Sequence, residues 1–171
     1  MPAIDAPLIL TLSLDERTFG YFNALRQKHF PPERNYLDAH FTLFHHLPGP
    51  AHDDIAAVLV ARAQAQRPMP MRVTGLQFLG RGVAFALDAP EAEALHRELQ
   101  ALWRAHLTPQ DQQRRRPHVT IQNKVTPAAA RALHEQLSAG FEPFEATGTG
   151  LQLWAYRNGP WELLRSFAFG A

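Results

Sequence analysis

One short pattern occurs twice in the chain and limits what it can fold into. It is His40-Phe41-Thr42-Leu43 in the first half and His118-Val119-Thr120-Ile121 in the second. Successive side chains on a β-strand point to opposite faces. Each copy therefore predicts a strand with an imidazole and a hydroxyl on its front. Two apolar residues form its back. The back belongs in a core, the front at a cleft, and the two fronts are expected to meet across one cleft.

Chance does not readily account for the pair. With nine His and nine Thr in the chain, random placement gives roughly half of one His-x-Thr. A third occurrence, His106-Leu107-Thr108, ends a helical pattern and runs into Pro109, so it does not continue as a strand. It is read as the accidental one.

The remaining pattern surrounds these two strands with helices and further strands. Alternating leucines predict a strand over 8–14, and Asp15 caps a helix over 16–29 with Phe19, Phe22 and Leu25 on one side. Pro31-Pro32 ends it, the first motif strand follows, and Pro48-Gly49-Pro50 stops that. A helix over 53–66 carries Ile55, Val58, Leu59 and Arg62. Strands over 71–79 and 82–88 turn around Gly80-Arg81-Gly82. A helix from Asp88–Pro90 to 107 buries Leu95, Leu99, Leu102 and Trp103. Residues 108–116 read as irregular, and the second motif strand runs from Pro117 to Lys124. Thr126, Pro127 and Gly140 bound a helix that buries Leu133 and Leu137, before strands over 144–155 and 161–169.

The order is strand, helix, motif strand, helix, strand, and then the same again. Thr74-Gly75-Leu76-Gln77 recurs as Thr149-Gly150-Leu151-Gln152, an offset of 149 − 74 = 75, and the motif histidines are offset by 118 − 40 = 78. Two similar offsets argue for a duplication. The expected organisation is one domain, 1–171, of two β-α-β-α-β lobes. The repeats fall at 7–80 and 81–155, with a last strand at 161–169. A pseudo-two-fold axis then places the motif strands symmetrically about the cleft between lobes, where pockets tend to form. The tetrapeptide is expected to lead an equivalent strand in each lobe.

Composition removes several classes of function. With 46% apolar residues, 19% charged residues and a formal charge of +1, the chain can build a core and has no strong field for nucleic acid or membrane. A local basic run, Arg114-Arg115-Arg116, precedes the second motif. Without cysteine there is no disulfide framework and no thiolate metal site. No signal-like or membrane-length apolar segment is visible. A soluble, cytoplasmic monomer is expected.

Two facing imidazoles suit paired acid–base chemistry near neutral pH. A neutral His takes a proton from water, and a protonated one supplies the leaving oxygen. Two Thr hydroxyls donate hydrogen bonds to the negative oxygens between them. This layout fits in-line displacement at phosphorus, and a cyclic phosphodiester in particular. The chain has no Gly-x-Ser-x-Gly elbow and no phosphate loop ending in Gly-Lys-Ser/Thr. His45, His46 and His52 lack an acidic partner or third ligand at a metal-binding spacing, so neither a metal nor another cofactor is expected.

The paired His-x-Thr strands, their spacing and the duplicated halves resemble the 2H phosphoesterase superfamily, which includes 2′-5′ RNA ligase-like proteins and cyclic nucleotide phosphodiesterases. The resemblance covers nearly the whole chain. It implies a bilobal α+β fold with antiparallel sheets lining the central cleft. It also implies metal-independent hydrolysis, or reversal, of 2′,3′-cyclic or 2′-5′ phosphodiester bonds in a small phosphodiester or RNA end. Carried over by position, His40 and His118 are the catalytic pair and Thr42 and Thr120 bind the phosphate. Relatives often have Pro before each His; here Pro117 precedes the second and Ala39 the first. Some place a basic residue five positions after the second His, where this chain has Asn123 followed by Lys124.

Further substrate contacts are expected from His46, which continues the parity of the first motif, and from Arg116, Gln122, Lys124 and Tyr156. Trp154 is read as strand-core packing. The rival reading is a non-catalytic RNA- or nucleotide-binding module on the same fold.

Overall fold

The computed structural model describes residues 4–114 and 116–170. In chain order it contains β1 (Leu8–Leu14), α1 (Glu16–His29), β2 (Phe41–Leu47), α2 (His52–Ala65), β3 (Met69–Phe78) and β4 (Val83–Asp88). These are followed by α3 (Pro90–Trp103), β5 (His118–Gln122), α4 (Pro127–Ala139), β6 (Phe144–Tyr156) and β7 (Trp161–Ala168). Two of the helix starts follow from their caps. The Asp15 carboxylate accepts from the Thr18 amide at 3.1 Å, and Thr126 Oγ1 accepts from the Ala129 amide at 3.2 Å. None of these helices is long and apolar enough to cross a membrane.

All pairings are antiparallel, in one sheet ordered β2-β1-β6-β3-β4-β5 with β7 also on β6. Exchanging β1 with β4, β2 with β5 and β3 with β6 reverses that order and leaves it unchanged. The register obeys the same exchange. The β3–β6 ladder runs from Met69↔Gly148 to Val73↔Phe144, centred on Met71↔Ala146, and 146 − 71 = 75 is the tetrapeptide offset. The pseudo-two-fold therefore passes through that central pair. The two halves are joined into one continuous sheet there rather than packed as two.

Four β-bulges repeat under the exchange. Along β6, Ser13 pairs Gly150 and Leu14 pairs Gly148, so Thr149 is the extra residue. Along β3, Val73 pairs Leu87 and Gly75 pairs Ala86, so Thr74 is extra. The duplicated Thr-Gly-Leu-Gln thus marks a bulge in mid-strand, not the start of a strand. A bulge bends its strand and strengthens the local twist. Here it is where β6 leaves β3, which pairs with 144–148, for β7, which pairs with 150–156. A side chain at Gly150 would meet the Phe167 carbonyl at 2.6 Å, so glycine is required for β7 to approach.

The same comparison finds Leu43 extra in β2 and Ile121 extra in β5, at the fourth position of each motif. The bends curl the sheet until its two end strands, β2 and β5, come into contact, and α1 packs on β5. Behind the motif fronts, Phe41, Leu43, Val119 and Ile121 join a core that also holds Phe22, Phe44 and Phe85.

Several expected details shift. The buried face of α1 is Thr18, Phe22 and Arg26, because these i, i+4, i+8 positions share the face turned to the sheet, where Phe22 meets Phe85 and Phe144 and Arg26 reaches Thr120. Leu102 is 60% exposed, since α3 turns Leu99 and Trp103 inward instead. On α2, Ile55, Ala56, Leu59 and Ala63 are buried while Arg62 pairs with Glu98. β5 stops at Gln122 because Lys124 adopts φ 62, outside the extended region.

Candidate active site

His40 immediately precedes β2, and His118 opens β5. Both are half-buried, as are Thr42 and Thr120 two residues further on. The curl of the sheet brings the two motif strands together. Each imidazole is held in the same way. His40 Nδ1 lies 2.8 Å from the Asp38 carbonyl oxygen, and His118 Nδ1 lies 2.8 Å from the Arg116 carbonyl oxygen. A carbonyl only accepts, so each Nδ1 carries the hydrogen. Each Nε2 can then offer a lone pair when the ring is neutral and a donor when it is charged. The extended backbone before each motif puts a carbonyl two residues back within reach, and 116 − 38 = 78 repeats the histidine offset.

The electrostatics of His40 depend on its surroundings. Burial is the main influence and lowers its pKa; the Asp38 carbonyl opposes this, while positive charge on Arg26, His45 and His118 adds to it. The result is a pKa of about 4, so His40 is neutral at pH 7.

Arg26 is 4% exposed and stacks over the Phe30 ring at 4.2 Å. Its Nη1 donates to the Thr120 carbonyl at 3.0 Å and its Nε to Asn35 Oδ1 at 2.9 Å. Burial lowers its pKa to about 10, partly offset by Asp38, so it stays charged. Asn23 completes the support by accepting from the Ala39 amide at 2.9 Å.

The bulges decide the outer residues. Because Ile121 is extra, Gln122 falls opposite Val83 and is buried, with Oε1 unbonded, rather than following His118 and Thr120 onto the front. The parity expected to carry His46 forward fails for the same reason. His46 is exposed, and it is His45 whose charge is felt at His40. Lys124 is exposed past the strand end and Tyr156 is 39% exposed at the end of β6. Arg116 is exposed, with its carbonyl holding His118. Arg114 lies 3.8 Å from Glu93, and Arg115 falls outside the described residues. His106 ends a single-turn 3-10 helix, as its place before Pro109 suggests.

Some site residues gave little sign of themselves in the sequence. Asp111 is completely buried in the loop after α3, and its carboxylate accepts from the His45 and His46 amides at 2.9 and 2.8 Å. It satisfies the free edge of β2 and links that strand to the arginine-bearing loop. Arg26 was readable only as a cation one turn after Phe22. Trp161, at the start of β7, packs against the His40 ring, with centroids 4.7 Å apart and planes tilted by 53°. Trp154 is not core packing: it lines the cavity beside His40, with Nε1 bonded to Thr11 Oγ1 at 2.9 Å. Among the described residues no three His, Asp or Glu side chains are grouped as metal ligands.

Comparison with known proteins matches this architecture. The sequence profile of the 2′-5′ RNA ligase superfamily matches residues 14–160. No curated protein matches the chain. Among solved structures, TT0787 of Thermus thermophilus superposes with a TM-score of 0.66 at 17% identity, covering 95% of this chain and 97% of that one. A crystal structure described as a phosphoesterase gives 0.63 at 16% identity, covering 98% and 99%. E. coli LigT complexed with 3′-AMP gives 0.58 at 17% identity, covering 97% and 99%. At these identities the likeness is one of fold.

Proposed function

The chain belongs to the 2′-5′ RNA ligase superfamily, and from that premise we propose that it breaks, and in reverse forms, 2′-5′ or 2′,3′-cyclic phosphodiester bonds at RNA ends or in nucleotides. The chemistry is acid–base catalysis between His40 and His118, with no metal. The observation that carries this reading is the matched pair of Nδ1–carbonyl bonds, which leaves two Nε2 atoms for proton transfer. A site that only bound nucleotide would not need two imidazoles held in the same tautomer.

The proposed proton transfers start from a neutral His40. His40, kept neutral by burial and by neighbouring cations, accepts the proton of the attacking oxygen through Nε2. As that oxygen bonds to phosphorus, the bond to the leaving oxygen breaks on the opposite side. His118 delivers its Nε2 proton there. Thr42 and Thr120 donate to the non-bridging oxygens, whose charge grows at the transition state. The cycle ends with His40 charged and His118 neutral. Exchange with solvent restores the start, and running the steps backwards forms the bond.

The test is turnover of 2′,3′-cyclic, 2′-5′-linked and 3′-5′-linked compounds with a chelator present. Cleavage of one of the first two classes, lowered roughly 10²–10⁴-fold by His40→Ala and by His118→Ala, supports the reading. Binding without turnover of any of them would leave the non-catalytic module as the function. Activity that disappears with the chelator and returns with metal would remove the two-histidine mechanism.

A further inference from the structure

The paired histidines, threonines and carbonyls occupy equivalent positions in the two halves, so their geometry alone does not select which nucleoside lies on which side. Whatever orients the substrate must break the pseudo-two-fold. β7 does so, because it follows the five elements that occur twice and has no counterpart among the described residues.

The consequence appears in two depressions related by the exchange. Gln152 and Ala39 line the one beside His40, and Gln77 and Pro117 line the other. These are equivalent positions, with 152 − 77 = 75 and 117 − 39 = 78. The cavity beside His40 is about 520 Å³ and is walled by Trp154, Trp161 and Tyr36. Trp161 contacts both the His40 ring, at 4.7 Å, and the second indole, Trp154, at 6.0 Å. The bond to Thr11 fixes Trp154 in turn. Beside Pro117 no aromatic side chain among the described residues lines the matching depression; Arg116 borders it instead, together with Asp88 and Glu93.

We propose that this asymmetry sets the substrate's direction. The nucleobase of the nucleotide whose ribose hydroxyl exchanges its proton with His40 stacks on Trp161, and the departing partner runs past His118 toward Arg116. The inference rests on the phosphodiester reading above. Stacking suits this wall because every nucleobase offers a flat π face. The amides of Asn35 and Gln152, also in the cavity, offer its edge donors and acceptors. A cation such as Arg116 suits the phosphate of a continuing chain.

Binding to analogues that cannot be cleaved tests the direction apart from the chemistry. The probes are 2′-5′-linked diadenosine monophosphates lacking the attacking 3′-hydroxyl, one intact, one without the first base and one without the second, measured by calorimetry. Trp161→Ala should weaken the intact ligand and the ligand without its second base at least about fivefold, the low end for one stacked base. It should leave the ligand without its first base unchanged. Trp161→Phe should retain most of the affinity, which separates loss of stacking from misfolding of β7. Equal weakening of all three ligands, weakening that follows the second base, or no weakening would overturn the proposal. If the orientation holds while the wild type turns over none of the cleavable counterparts, the subsite stands and the catalytic reading fails.

Discussion

Arg26 donates from Nη1 to the carbonyl oxygen of Thr120 across 3.0 Å, tying the helix before the first motif to the strand of the second. The bond joins the halves at the candidate site, since α1 precedes His40 and Thr120 follows His118. A guanidinium removed from water needs such partners. Replacing it by Met leaves the Thr120 carbonyl and the Asn35 side chain without their donor. Arg26→Met should therefore cost about 1–3 kcal/mol in urea unfolding. It should also raise the His40 pKa, as seen by NMR titration, because a cation that lowers it is gone. An unmoved His40 titration would mean that Arg26 is structural only.

The catalytic pair should fail together. Each of His40→Ala and His118→Ala should reduce turnover roughly 10²–10⁴-fold. The double variant should lose far less than the product of the two, because both act in one transition state. Thr42→Val or Thr120→Val should cost less, about 1.5–3 kcal/mol for one hydrogen bond to a charged oxygen. His106→Ala is the internal control and should match the wild type in single-turnover rate.

The depressed pKa of His40 makes a claim about pH. Unfolded, its imidazole titrates near 6.5; folded, near 4. Between those values the unfolded chain binds the proton more tightly, so stability is full above pH 6.5, declines as pH falls through this window, and declines no further from this group below 4. His40→Gln should flatten that part of a stability–pH curve. Asp15 and Asp111, whose carboxyls sit below the usual range, act at lower pH still. The acid limb of kcat/KM should likewise lie near pH 4 rather than 6.5. A limb at the higher value would place another group in the role of base.

Asp111 holds the edge of β2 by two amides, and only a carboxylate fits both. Asp111→Asn would turn an NH2 toward one N–H, so it should destabilise almost as much as Asp111→Ala. About 1.5–3 kcal/mol is expected from each in thermal or urea melts, the range for hydrogen bonds to a charged group. A neutral Asp111→Asn variant would show that the loop is held by the Gln100 side chain, which donates to the Asp111 and Gln113 carbonyls at 3.0 and 2.9 Å.

Much of this was legible in the chain itself. Alternation of apolar residues located the strands, and Asp15, Thr126 and the prolines located the helix ends, because these are local effects of backbone and capping chemistry. The repeated His-x-Thr and Thr-Gly-Leu-Gln pointed to an order of elements that occurs twice, and put forward His40, Thr42, His118 and Thr120 as the site proposed above. Alternation could not foresee the extra residue at Leu43 and Ile121. A bulge exists only against a partner strand, and it turned Gln122 inward and made His45 rather than His46 the neighbour that acts electrostatically on His40. Nor could it foresee that Asp111 would travel to the edge of β2, or that Trp161 would arrive on the His40 side alone. The sequence determined the elements and the chemistry they carry, since both are written in neighbouring residues. The tertiary structure decided which groups surround each imidazole, because desolvation, edge satisfaction and stacking depend on residues brought together from distant parts of the chain.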